Sequence, residues 1–96
     1  MKKISIIIPA YNEQESLNLM YDRLMPILDE IKNYEFEVLF VNDGSKDNTL
    51  KIIKELTGKD NRISYVDFSR NFGKEVAMIA GLDYAKGDAV IFMDAD

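Results

Sequence analysis

Apolar residues fall along this chain in two rhythms. Short, nearly continuous runs over residues 4–8, 36–41 and 89–93 are rich in β-branched or aromatic side chains, and such runs read as strands buried on both faces. A fourth run, Ile63-Ser64-Tyr65-Val66-Asp67-Phe68, alternates more and predicts a strand nearer an edge. Between the runs the spacing changes to three and four. Leu17, Met20, Tyr21, Leu24, Ile27, Leu28 and Ile31 predict one apolar helix face over about residues 12–32. Asn12 and Glu15 stand there at the spacing of a capping box, and Pro26 is expected to kink the helix or make its last turns irregular. Leu50, Ile53 and Leu56 predict a second helix over residues 47–57, stopped by Gly58. A third, over residues 74–86, turns Val76, Ala77, Ile79, Ala80 and Tyr84 inward and stops at Gly87.

Strands and helices in strict alternation predict an α/β fold, a parallel sheet covered through right-handed crossovers. A doubly wound order 3-2-1-4 would set the first and fourth strands side by side at the switch point. Ligands bind there, beyond the carboxyl ends of the strands.

A length of 96 residues allows at most one compact unit and excludes a two-lobed enzyme. Twelve Lys and Arg against 17 Asp and Glu give a net charge of −5, with 47% hydrophobic residues; this is a folding composition without the basic footprint of a nucleic-acid binder. No nucleic-acid partner is expected. The chain has neither Cys nor His, which removes disulfides, thiolate zinc sites, cysteine nucleophiles and serine–histidine triads. Any chemistry falls to carboxylates, amides and hydroxyls. No apolar stretch approaches the ~20 residues that cross a bilayer, and the apolar run after Lys3 is too short for a signal-peptide core. The expectation is a soluble, cytoplasmic piece.

Polar clusters follow three of the strands: Pro9-Ala10-Tyr11-Asn12-Glu13, Asn42-Asp43-Gly44-Ser45 and Asp94-Ala95-Asp96. Singly, each has an ordinary reading as a cap, a turn or a solvated terminus. Carboxylates at three strand ends are more than capping requires, and Asp94 with Asp96 at the end of a buried strand would make a hard-oxygen site suited to Mg²⁺ or Mn²⁺ bridging to phosphates.

Five segments in order, Ile6-Ile7-Ile8-Pro9-Ala10-Tyr11-Asn12-Glu13, Val41-Asn42-Asp43-Gly44-Ser45-Lys46-Asp47, Ser69-Arg70-Asn71-Phe72-Gly73-Lys74, Ala80-Gly81-Leu82-Asp83 and Met93-Asp94-Ala95-Asp96, together resemble the amino-terminal half of a family 2 glycosyltransferase. The third and fourth are similar to the polyprenyl-phosphate branch, the dolichol-phosphate mannose synthases and undecaprenyl-phosphate glucosyltransferases. The resemblance implies a GT-A fold in which residues 1–96 are the nucleotide-sugar-binding half, truncated after the fourth strand. It implies a UDP- or GDP-hexose donor, with Pro9, Tyr11 and Glu13 lining the base and ribose pocket and Asp43 accepting a hydrogen bond from the base. Lys74 would sit near the phosphates. Asp94 and Asp96 match the DxD motif, the first contacting ribose or metal and the second holding Mg²⁺ or Mn²⁺ on the diphosphate. The acceptor would be a polyprenyl phosphate at the cytoplasmic face of a membrane. No catalytic residue is expected within these 96 residues, because the general base belongs to the family's second half, so this stretch alone is expected to be inactive.

Competing readings are a non-catalytic nucleotide-binding or structural fragment, a haloacid-dehalogenase-like phosphohydrolase piece, whose Asp-x-Asp normally follows the first strand, and a receiver-like domain, which wants paired acids where this chain has Tyr11-Asn12-Glu13. The apolar fourth strand, if left with an unpaired edge, is expected to drive self-association.

Overall fold

The structure, a computed structural model, describes residues 1–95; Asp96 lies outside the described residues. Strands β1 (Lys2–Ala10), β2 (Tyr34–Asp43), β3 (Ile63–Phe68) and β4 (Ala89–Phe92) alternate with helices α1 (Leu17–Glu30), α2 (Thr49–Lys59) and α3 (Lys74–Tyr84). The strands pair in parallel in the order β3-β2-β1-β4, as the alternation predicts.

The central pair explains the continuous apolar runs. Side chains alternate between the faces of a strand. Ile6, Ile8 and Ala10 of β1 join Phe36, Val38 and Phe40 of β2 in one core with α1 and α2. Ile7 joins Leu39 and Val41 in a second core with Ala77 of α3. Both faces of β1 and β2 are therefore covered over residues 6–8 and 38–41, where side chains pointing either way are apolar.

Several boundaries and faces differ from the sequence expectation, each for a local reason. α1 begins at Leu17, because Asn12 adopts a left-handed φ of 52° that no helix continues. The Asn12–Glu15 capping box is not formed. The helix runs through Pro26 to Glu30 and closes with Ile31 N–H on the Leu28 carbonyl. Its buried residues are Leu17, Leu24, Met25 and Leu28, while Ile27 is exposed. α2 passes through Gly58, which has no positive φ, and ends at Lys59 with Asp60 as its C-cap.

α3 ends at Tyr84 rather than residue 86, and its buried residues are Ala77 and Gly81, four apart. Val76, Ile79 and Tyr84, expected inward, are exposed. Helix and sheet approach so closely at Gly81 that a Cβ there would lie 2.4 Å from Cγ2 of Ile7; the sheet-facing arc accepts only small residues. Among the described residues no helix is long and apolar enough to cross a membrane.

Candidate functional site

The carboxyl ends of β1, β2 and β4 open on one side of the sheet, and two loops there are tied to each other. After β1, the Asn12 amide donates to the Ser45 hydroxyl at 2.9 Å, and the Asn12 side-chain oxygen accepts from the Lys46 amide at 2.8 Å. The Glu13 amide donates to Thr49 Oγ1 at 2.8 Å, and the Asn48 amide donates to Gln14 Oε1 at 3.1 Å. Asp47 accepts from the amide and hydroxyl of Thr49. Burial works to raise its pKa, but the Thr49 bonds and the Gln14 amide outweigh it and hold the carboxyl below its ordinary value.

Asp43, the last residue of β2, is only 2% exposed. One carboxylate oxygen accepts from the Phe72 amide at 2.8 Å; the other accepts from the Gly73 amide and from Asn71 Nδ2, both at 3.0 Å. Gly44, at φ 68°, follows it. A Cβ there would stand 2.1 Å from the Arg70 carbonyl carbon, so segment 70–73 lies directly on the Gly44 backbone. The segment is further stiffened by the Arg70 guanidinium over the Phe72 ring and by Phe68 edge-on to Phe72.

At the end of β4, Met93 N–H donates to the Ile7 carbonyl at 3.0 Å, which extends the ladder. Ala95 is buried in the core. Asp94 is held between these two anchors with its side chain 61% exposed, and the Lys74 ammonium, from the first turn of α3, bonds its carboxylate.

These pieces enclose a cavity of about 270 Å³. Pro9, Tyr11, Glu13, Asp43, Lys74 and Asp94 all line it, with Ala10 and Ala95. Every described residue assigned to the site from sequence is therefore brought to one cavity; Asp96 lies outside the described residues. A larger hollow, about 670 Å³, opens at the amino ends of the strands beside Lys3, Tyr34 and Arg62. That is the wrong end of a parallel sheet for a ligand, and size does not decide between them.

Sequence reasoning gave no role to Asn71, Gly44 or Thr49. Asn71 and Gly44 stood inside segments already singled out, but their partners lie far away along the chain. Among the described residues no three metal-ligating side chains cluster. The Asp94 carboxylate, facing the cavity and bonded to a cationic ammonium, supplies one hard oxygen donor. One carboxylate paired with an ammonium is not by itself a Mg²⁺ or Mn²⁺ site, since those ions take one or two carboxylates together with water and phosphate.

A model of glycosyl transferase family 2 matches residues 5–96. The uncharacterized glycosyltransferase YkcC of Bacillus subtilis is 47% identical over 92 residues, covering 96% of this chain and 28% of that protein. The bactoprenol glucosyl transferase of Shigella phage SfV is 48% identical over 94 residues, covering 98% and 30%. This chain thus spans less than a third of the length of the relatives it matches. Among solved structures, residues 1–349 of S. aureus TarS in complex with UDP superpose with a TM-score of 0.75 at 30% identity, covering 98% of this chain and 27% of that one. The mannosyltransferase PcManGT from Pyrobaculum calidifontis, in complex with GDP-Man and Mn²⁺, gives 0.74 at 25% identity, covering 99% and 28%. The sheet order and covering helices are those of the GT-A fold.

Proposed function

The chain belongs to glycosyl transferase family 2, whose model matches residues 5–96, and from that membership we propose that residues 1–96 form the nucleotide-sugar-binding part of a hexosyltransferase. The observation that carries this reading is the convergence of Pro9, Tyr11, Glu13, Asp43, Lys74 and Asp94 on one cavity at the carboxyl ends of the strands. In the proposal, Pro9, Tyr11 and Glu13 receive the base and ribose, with Asp43 on the cavity wall. Lys74 and Asp94 face the diphosphate. Relatives named bactoprenol glucosyl transferase support a polyprenyl-phosphate acceptor, which would bring the reaction to the cytoplasmic face of a membrane.

Asp94, with Asp96 beyond the described residues, would hold Mg²⁺ or Mn²⁺. Such an ion supplies Lewis-acid stabilisation of the charge on the departing nucleoside diphosphate. The chain's own part is to fix the Asp94 carboxylate through the Met93 bond and the buried Ala95, and to place the Lys74 ammonium beside it. A preset cation near developing negative charge needs little reorganisation during transfer. No residue of this pocket is assigned as general base, and no transfer by residues 1–96 alone is proposed. The family match leaves the phosphohydrolase and receiver-like readings without support.

The test is a calorimetric titration of the chain with UDP and GDP, with and without Mn²⁺, repeated on Asp94→Asn and Asp96→Asn. The expected result is one nucleotide bound only with metal, and lost in both variants. Equal binding without metal, or binding unaffected by both substitutions, would overturn the metal assignment; no binding at all would overturn the donor site in this stretch.

A further inference from the structure

We propose that Ser16 is a positioning residue for Glu13: its hydroxyl pins one oxygen of the Glu13 carboxylate from behind the cavity wall and leaves the other oxygen to the ribose hydroxyls of the donor. This rests on the reading of the cavity as the donor site with Glu13 on its ribose side, and it adds a residue that does not itself line that cavity.

Ser16 is the N-cap residue of α1, yet its side chain makes no cap hydrogen bond. A serine in that place ordinarily accepts from an amide of the first helical turn. Here the backbone alone starts the helix, through the Met20 amide on the Ser16 carbonyl at 3.0 Å. The hydroxyl turns back instead: Ser16 Oγ donates to Glu13 Oε2 at 2.9 Å and lies 3.3 Å from the Glu13 carbonyl oxygen. A hydroxyl carries one proton, and the shorter bond, to an ionised acceptor, is the stronger of the two.

Glu13 is thereby held at three points. Its amide donates to Thr49 Oγ1 at 2.8 Å, its carbonyl accepts from the Ser16 and Leu17 amides at 3.1 and 3.2 Å, and its carboxylate is taken by Ser16. Among the described residues no donor takes Oε1, and Glu13 lines the cavity together with Tyr11, Asp43, Lys74 and Asp94. An ionised carboxylate accepts and cannot donate, and it repels a diphosphate, so its partners on a bound nucleotide are hydroxyls. Glutamate also has much rotamer freedom to lose; a side chain fixed before the ligand arrives removes that cost from binding. Ser16 borders a separate groove of about 240 Å³ beside Leu19 and Met20, which leaves space for the methyl group of a threonine.

The test compares wild type with Ser16→Ala, Ser16→Thr, Glu13→Gln and the double variant of Ser16→Ala with Glu13→Gln. Two quantities are measured: affinity for UDP and GDP and for their dideoxy analogues, which lack both ribose hydroxyls, each with Mn²⁺, and the side-chain couplings of Glu13 by NMR. The proposal predicts that wild type prefers the ribose form and that Ser16→Ala weakens that form by about fivefold while leaving the dideoxy form unchanged. Ser16→Thr restores the preference, and the double variant loses no more than Glu13→Gln alone. The couplings show one Glu13 rotamer in wild type and Ser16→Thr and an average in Ser16→Ala. With no cap bond to lose, Ser16→Ala keeps the urea midpoint of wild type. A lowered midpoint with the ribose preference intact shows a helix-stabilising role and overturns the proposal, as does equal weakening of ribose and dideoxy forms or a wild type that does not distinguish them. Should wild type bind no nucleotide, the donor-site reading fails separately and the couplings alone decide the pin: averaging on Ser16→Ala upholds it, and unchanged couplings overturn it.

Discussion

Arg62 concentrates more of the charge pairing among the described residues than any other side chain. Its guanidinium takes both Asp60 oxygens, at 3.0 and 2.7 Å, and reaches Asp29 at 2.8 Å, tying the ends of α1 and α2 to the start of β3. The Arg62 hydrogen bonds hold the Asp60 carboxyl below its ordinary value of 3.8 against the opposing effect of burial. A carboxylate with a depressed folded pKa adds stability that is complete above the unfolded value and lost as pH falls through the folded one. The urea midpoint of the chain should therefore drop below about pH 4, with Asp47 adding to the same window. Asp60→Asn should flatten that drop by on the order of 1 kcal/mol; an identical pH profile for the two proteins would refute the assignment. Residues of this kind were poorly legible in the sequence. Asp43 was singled out for its place at a strand end, yet its donors come from residues 71–73, and no spacing rule connects positions so distant.

Elements were legible in proportion to how strongly burial wrote their pattern. β1 and β2 are covered on both faces, which produces uninterrupted apolar runs, and the alternation with helices then left few sheet orders. α3 was misjudged in its facing because its contact with the sheet is made by Ala77 and Gly81. Small residues carry little hydrophobic signal, while exposed Val76 and Ile79 carry much. The start of α1 was misplaced because Asn12 answers to Ser45 and Lys46 rather than to its own helix. The close contact of α3 has a measurable corollary. Gly81→Ala would set its Cβ 2.4 Å from Cγ2 of Ile7, a fully buried β-branched side chain that cannot step aside. We expect a loss of about 1–3 kcal/mol from overpacking, exceeding the ~1 kcal/mol of helix propensity gained. A urea midpoint at or above that of wild type would show that helix and strand separate freely.

For the molecule as a whole, the two ends of the sheet are unequal. β3 is flanked by α2 on one face, whereas β4 is four residues long and exposes Ile91, Phe92 and the following Met93. An apolar strand at a sheet edge is a template for a further strand. We expect the chain alone to self-associate as its concentration rises, and Ile91→Lys to return it to monomer, both read by light scattering. A monomeric mass for wild type across the accessible concentrations would refute this. The site itself was legible at this scale because three polar clusters followed three strands, and parallel topology brings such strand ends together.

The bonds between the loop after β1 and the loop after β2 have a consequence for loop exchange. Asn12, Glu13 and Gln14 each find their partners among residues 45–49, so neither loop can gain or lose a residue without breaking the register of the other. The two segments therefore form one mechanical unit, and a graft of the loop after β1 into another family member is expected to keep its shape only when residues 45–49 are carried with it.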